Sequence, residues 1–150
     1  MKNITLYTGG TFDLFHSGHV DFLKHCKKIS DKVIVALNTD DFIERYKGKK
    51  PIISYDDRKT VLLSCKYVDD VVENTNGEDS KPSILSILPN IIAIGDDWAK
   101  KDYYKQMNFT QKWLDENDIT LVYIPYKQGV SSSEIKNLIK WKLLFAILVI

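Results

Sequence analysis

Two imidazoles three positions apart, His16 and His19, with Gly18 between them, end the run Thr8-Gly9-Gly10-Thr11-Phe12-Asp13-Leu14-Phe15-His16-Ser17-Gly18-His19. Glycines let backbone approach a ligand closely, and a helix beginning near Gly18 offers unpaired N–H groups and the positive end of its dipole. Such a turn is a seat for phosphate. Imidazoles placed there donate hydrogen bonds to phosphoryl oxygens, and protonation strengthens those contacts as charge builds in a transition state. The run is neither G-x-G-x-x-G nor a P-loop with its lysine, which disfavours a dinucleotide dehydrogenase and a P-loop ATPase. One packed and one surface histidine is the plain alternative. A metal site is the other, although no third Cys, His or carboxylate stands at ligand spacing in this segment. With neither G-x-S-x-G nor a Cys beside a glycine-rich turn, no nucleophilic side chain is expected.

A strand must deliver this loop and a helix must receive it. Ile4 to Tyr7 is β-prone and ends in Thr8-Gly9-Gly10, which reads as a tight loop. From Gly18, the apolar residues Val20, Phe22, Leu23, Cys26 and Ile29 recur at helical spacing, and Val33 to Leu37 follows as a second strand. That is a βαβ unit, whose crossover is parallel and right-handed. The alternation continues with helices expected at Asp40 to Tyr46, Tyr55 to Ser64, Ser83 to Leu88, Tyr103 to Glu116 and Ser131 to Ile139. Strands are expected at Val68 to Val72, Ile91 to Ile94 and Leu121 to Ile124. The fold expected is α/β, a Rossmann-like doubly wound sheet of five parallel strands with helices on both faces. Ligands of such sheets lie beyond the carboxyl ends of the strands.

The chain of 150 residues fits one domain, and 44% hydrophobic with 27% charged residues argues against disorder. Twenty-one Lys and Arg against 20 Asp and Glu leave a net charge of +1, so no global field draws nucleic acid, and an anion must meet a local cluster. Cys26 and Cys65 lack metal-ligand spacing and are expected to be reduced and packed. The first residues lack the apolar core of a secretory signal, so the expected location is the cytoplasm. From 141 to 150 an apolar tail follows the domain expected over residues 1–140. Its Leu143 to Ile150 stretch is too short to span a bilayer, so no transmembrane segment is expected. The tail is expected to pack on the domain or on a second subunit, or to touch a membrane.

The segment GGTFDLFHSGHVDFLKHCK resembles the nucleotide-binding segment of the nucleotidyltransferase superfamily whose signature is H-x-G-H. From about Ile4 to Lys140 the chain is similar to its small cytidylyltransferase branch. The resemblance implies a homodimer that joins a nucleoside triphosphate to a small phosphorylated acceptor and releases pyrophosphate, with Mg²⁺ carried by the nucleotide. CTP with glycerol 3-phosphate, giving CDP-glycerol, is the first expectation. ATP with a sugar or cofactor phosphate is the alternative.

The same resemblance assigns residues. His16, His19, Lys49 and Arg58 of Tyr55-Asp56-Asp57-Arg58 are the expected catalytic groups. Thr8, Gly9, Gly10, Thr11, Phe12, Asp13, Gly18, Lys47 and Asp96 are expected on the nucleotide, with Gly129, Val130, Ser131 and Ser132. The acceptor is expected at Asp40, Lys66, Asp69, Asp97 and Trp98, the last two from Gly95-Asp96-Asp97-Trp98. No protein metal ligand is expected. Tyr126 departs from the pattern, standing beside Lys127 where cytidylyltransferases carry Arg, and Lys cannot reproduce a planar bidentate fork. The base is therefore less firmly implied than the chemistry.

Overall fold

The computed structural model describes residues 3–74, 79–126 and 129–148. Its elements are β1 (Thr5–Gly10), α1 (Ser17–Lys28), β2 (Lys32–Asn38), α2 (Asp40–Lys47), α3 (Tyr55–Leu63), β3 (Asp70–Asn74), α4 (Lys81–Ile87), β4 (Ile91–Gly95), α5 (Tyr103–Met107), α6 (Gln111–Glu116), β5 (Thr120–Ile124) and α7 (Ser132–Leu148), with a 3₁₀ turn at Asp96–Lys100. The five strands form one parallel sheet in the order β3-β2-β1-β4-β5. The expected Rossmann-like α/β fold is the fold observed. The order reverses between β1 and β4, the switch point at which such sheets bind ligands.

Each face of the sheet has its own core, because β-strand side chains alternate between faces. Leu6, Val33, Val35 and Leu37 pack with Phe22, Leu23 and Cys26 of α1 and Leu62 of α3. On the other face Tyr7, Ala36, Ile92 and Ile94 pack with Ile84, Tyr103, Met107, Phe109 and Leu114. Parallel strands buried on both faces are apolar throughout, as Val33 to Leu37 is. Cys26 is buried, which pushes its thiol up to about 12, and Cys65 is half-buried; both are free.

Several boundaries differ from the sequence reading. Gly9 and Gly10 do not form a loop after β1; they extend the strand, pairing with Ala36 and Leu37 of β2. β3 begins two residues later than expected. The single helix expected over Tyr103 to Glu116 is two, because Asn108 ends α5 in the left-handed region (φ 56°) and the Thr110 hydroxyl caps α6 by accepting from Trp113 N–H. Over residues 141–145 the tail does not pack on the domain. α7 runs on through 141–148, and Leu138, Ile139, Trp141, Leu143, Leu144 and Phe145 are all exposed. Among the described residues no helix is long and apolar enough to cross a membrane.

Candidate active site

The loop between β1 and α1 carries backbone strain. Phe12 and Leu14, on either side of Asp13, hold φ of 49° and 51°, a region that costs L-residues energy and persists only where the surroundings enforce it. Three anchors enforce it here. Arg58 donates from Nη1 to the Thr11 carbonyl at 2.6 Å. The Asp13 carboxylate accepts from the N–H groups of Ile52 (3.1 Å) and Ile53 (3.0 Å) and pairs with Lys136 Nζ at 2.7 Å. Ser132 Oγ donates to the Asp13 carbonyl. Burial alone would raise the Asp13 pKa, but Lys136 and the two amides outweigh it and hold the carboxyl below its usual value.

His16 is the N-cap of α1, and its Nδ1 accepts from Gly18 N–H at 3.1 Å. His19 Nδ1 in turn accepts from His16 N–H at 3.4 Å, closing a capping box made of two histidines. A nitrogen that accepts carries no proton in a neutral ring, so both rings present Nε2–H as their donor. His16 Nε2 is buried and has no hydrogen-bond partner among the described residues. Gly18 makes this arrangement possible: a Cβ there would lie 2.9 Å from His16 Cε1 and 3.3 Å from the Tyr126 hydroxyl. His19 is stacked on His16 and flanked by Phe12 and Phe15, with ring centroids 5.2 and 5.4 Å away. Burial depresses both histidines; His19, with the His16 ring also against it and Asp13 opposing, falls to about 3. Both rings are therefore held as neutral donors.

Beside the rings opens a cleft of about 340 Å³. Gly9, Gly10, Thr11, Phe12, Asp13, His19, Lys47, Lys49 and Ser132, all expected from the sequence, line it. Thr8 lies buried in β1 behind them. Lys47 ends α2, Gly48 caps it in the left-handed region (φ 71°), and Lys49 follows. Burial first, then Lys136 and Lys49 nearby, lower the Lys47 pKa although Asp13 opposes them. Crowded cations of this kind await an anion. Sequence reasoning missed Lys136, Tyr7, Asn38, Asn74 and Gln106, which also line the cleft. The signal available for Lys136 was its place one helical turn after Ser132.

Outside the lining of the cleft stand Asp96, whose Oδ1 accepts from Tyr126 N–H at 3.0 Å, and Asp97, whose Oδ1 folds back over Gly95. Gly129 (φ 82°) and half-buried Val130 lead to Ser131, whose hydroxyl caps α7 by accepting from Glu134 N–H at 3.1 Å. Lys127 and the side chain of Trp98 lie outside the described residues.

Four expected site residues are engaged within the fold. Arg58 is buried, and all three of its guanidinium nitrogens are engaged: with the carbonyls of Ile53, Thr11 and Asn38, and with Asp40 Oδ1 at 2.6 Å. It holds the loop before α1 in place. Asp40 is its partner and also accepts from Tyr55 N–H at the start of α3. Asp69 binds Lys27 and Val33 N–H at 2.7 Å, at the amino end of β2, and Lys66 lies over the Tyr67 ring just before it. Both stand about a strand's length from the carboxyl ends that form the cleft.

Among the described residues no group of three or more His, Cys, Asp or Glu is placed to hold a metal. The single carboxylate of the cleft lining, Asp13, is fully engaged. The arrangement can receive phosphate: neutral N–H donors at a helix N-terminus, with lysines lining the cleft beside them.

Fold and site together define a nucleotidyltransferase, and the profile of the cytidylyltransferase-like family matches residues 7–138. The chain belongs to that family. It is 36% identical over 138 residues to glycerol-3-phosphate cytidylyltransferase of Bacillus subtilis (strain 168), covering 91% of this chain and 96% of the relative. FAD synthase of Pyrococcus horikoshii is 42% identical over 96 residues, covering 64% of this chain and 65% of the relative. Among solved structures, the lipopolysaccharide core biosynthesis protein of Thermoplasma volcanium GSS1 superposes with a TM-score of 0.68 at 27% identity, over 86% of this chain and all of the other.

Proposed function

We propose that the protein transfers a cytidylyl group from CTP to the phosphate of a small phosphorylated alcohol, glycerol 3-phosphate first, giving CDP-glycerol and pyrophosphate. An oxygen of the acceptor phosphate attacks the α-phosphorus, and the bond from that phosphorus to the bridging oxygen of the β-phosphate breaks. A phosphate monoester has its second pKa near 6, so it is already a nucleophile at neutral pH and needs no protein base. Catalysis is then positioning and charge stabilisation. His16 and His19 donate from Nε2 to the oxygens of the phosphorus in transfer. Lys47, Lys49 and Lys136 hold the flanking phosphates, while Tyr126, Asp96, Gly129 and Val130 face the nucleoside. The observation that carries the reading is the pair of Nε2–H donors fixed by their own capping box beside a lysine-rimmed cleft.

The substrate is inferred to be the Mg²⁺ complex of the triphosphate, since none of the described residues lining the cleft offers the ion a free carboxylate. Drawing on the nucleotide pool would place the protein in the cytoplasm. The apolar side chains exposed along 138–145 of α7 support a homodimer, which sedimentation at several concentrations tests.

An adenylyltransferase acting on a sugar or cofactor phosphate is the second reading, favoured by Tyr126 at the position of the expected Arg and by the similarity to an FAD synthase. Pyrophosphate release across a matrix of CTP and ATP against phosphorylated acceptors separates them. CTP with glycerol 3-phosphate is expected to be the fastest pair, and preference for ATP would overturn the first reading.

A further inference from the structure

The cleft has two chemically different ends. Its rim carries exposed lysines, but its deep end, where β1, β2 and β3 finish against α2, α5 and the start of α4, is uncharged: Tyr7, Asn38, Asn74, Ser80 and Gln106. The one carboxylate among the described lining residues, Asp13, is held by Lys136 and two backbone amides, so none of the described lining residues offers a free countercharge to an ammonium group.

Tyr7 is wholly buried, its ring fixed among Ile84, Ile92, Ile94 and Met107. Its hydroxyl meets hydrogen-bond geometry with none of the described residues, and Ser80, close enough to favour its ionised form, directs its own proton to the Met107 sulfur at 3.3 Å. A buried hydroxyl left unpaired is unfavourable, and its occurrence in a ligand cleft points to a partner that arrives with the ligand. Gly9, two residues on along the same face of β1, leaves the hydroxyl uncrowded. A Cβ at that position would lie 3.0 Å from the Tyr7 oxygen.

We propose that Tyr7 selects the acceptor: its hydroxyl hydrogen-bonds a hydroxyl on the body of an uncharged, hydroxyl-bearing phosphate ester, whose phosphate stays at the lysine rim. The inference rests on the phosphate-acceptor reading above and adds the group that recognises the rest of that molecule. Burial holds the Tyr7 phenol protonated far above neutral pH, so it acts as a hydrogen-bonding hydroxyl throughout the working range.

The test is Tyr7→Phe against the wild type, with glycerol 3-phosphate, ethanolamine phosphate and choline phosphate as acceptors. The expected result is a KM for glycerol 3-phosphate raised about tenfold, the worth of one hydrogen bond to a buried partner. The KM for the triphosphate and kcat should change less than twofold, and the variant should melt no lower than the wild type, because the hydroxyl meets hydrogen-bond geometry with none of the described residues. Wild type should discriminate against both ammonium-bearing acceptors. An unchanged acceptor KM, a shift in the triphosphate KM instead, or equal use of choline phosphate on the aromatic faces of the cleft would overturn the assignment. Calorimetric binding of glycerol 3-phosphate to both proteins keeps the two readings apart. Weaker binding by the variant without turnover in either protein sinks the transferase reading alone, and equal binding sinks this one.

Discussion

The His16 and His19 rings lie face to face, centroids 3.9 Å apart with 26° between planes, and His16 donates its backbone N–H to the ring that covers it. The contact does two things at once. It caps α1, and it fixes the proton of each ring on Nε2, so local secondary structure sets the chemistry of the site.

This pairing should make stability depend on mildly acidic pH. Folding depresses the pKa of both rings, so on acidification the unfolded chain takes up protons first. Stability is complete above about pH 6.5 and falls as pH drops below it, by at most about 1.4 kcal/mol per pH unit for each ring. Between about pH 6.5 and 5 the carboxylates remain ionised, so the histidines dominate the slope. Urea unfolding at about pH 7 and 5.5 should show the loss, and His19→Asn, which keeps an acceptor for His16 N–H, should flatten it. A slope unchanged in that variant would mean the rings are not the source.

Arg58 is predicted to matter for folding more than for binding phosphate. Truncation to Ala leaves the Asp40 carboxylate and three carbonyls without their donor and should cost about 3–5 kcal/mol in unfolding experiments. Lys, with a single ammonium, should recover only part of that. If Arg58→Ala unfolded within about 0.5 kcal/mol of wild type, the span of surface-substitution effects, the clamp would be wrong.

Asp13 should act through the segment it ties down. In Asp13→Asn the amide turns an N–H toward Ile52 or Ile53, and the ion pair to Lys136 is lost. The expected outcome is a triphosphate KM raised roughly tenfold, one charged contact's worth, with faster amide exchange at 52–54. Exchange equal to wild type with KM still raised would instead assign Asp13 to the nucleotide itself.

Much of this architecture was legible from residue patterns, and its limits have physical causes. Apolar periodicity located every strand and most helices, because a parallel sheet covered on both faces leaves continuous apolar runs. H-x-G-H marked the start of α1, since cap and ligand site are there the same residues. Arg58 could not be recognised as buried: its partners at Thr11 and Asn38 lie 47 and 20 positions away, and nothing local signals them. Asp69 sits in a run typical of the family yet faces the wrong end of the sheet, which only strand direction reveals. The break at Asn108 was readable, as Asn followed two residues on by Thr is a C-cap and an N-cap in sequence, but the aromatic residues around it hid the boundary. Tyr7 read as one more strand residue, because an unpaired hydroxyl exists only in three dimensions.

Two Nε2–H groups meeting the phosphorus in transfer carry the proposed chemistry, and kcat for pyrophosphate release by His16→Ala and His19→Ala tests it most directly. With the wild type's preferred triphosphate and acceptor both saturating, each variant should turn over on the order of 100- to 1000-fold more slowly while still binding nucleotide and folding. Turnover within a few-fold of wild type in either one would contradict it.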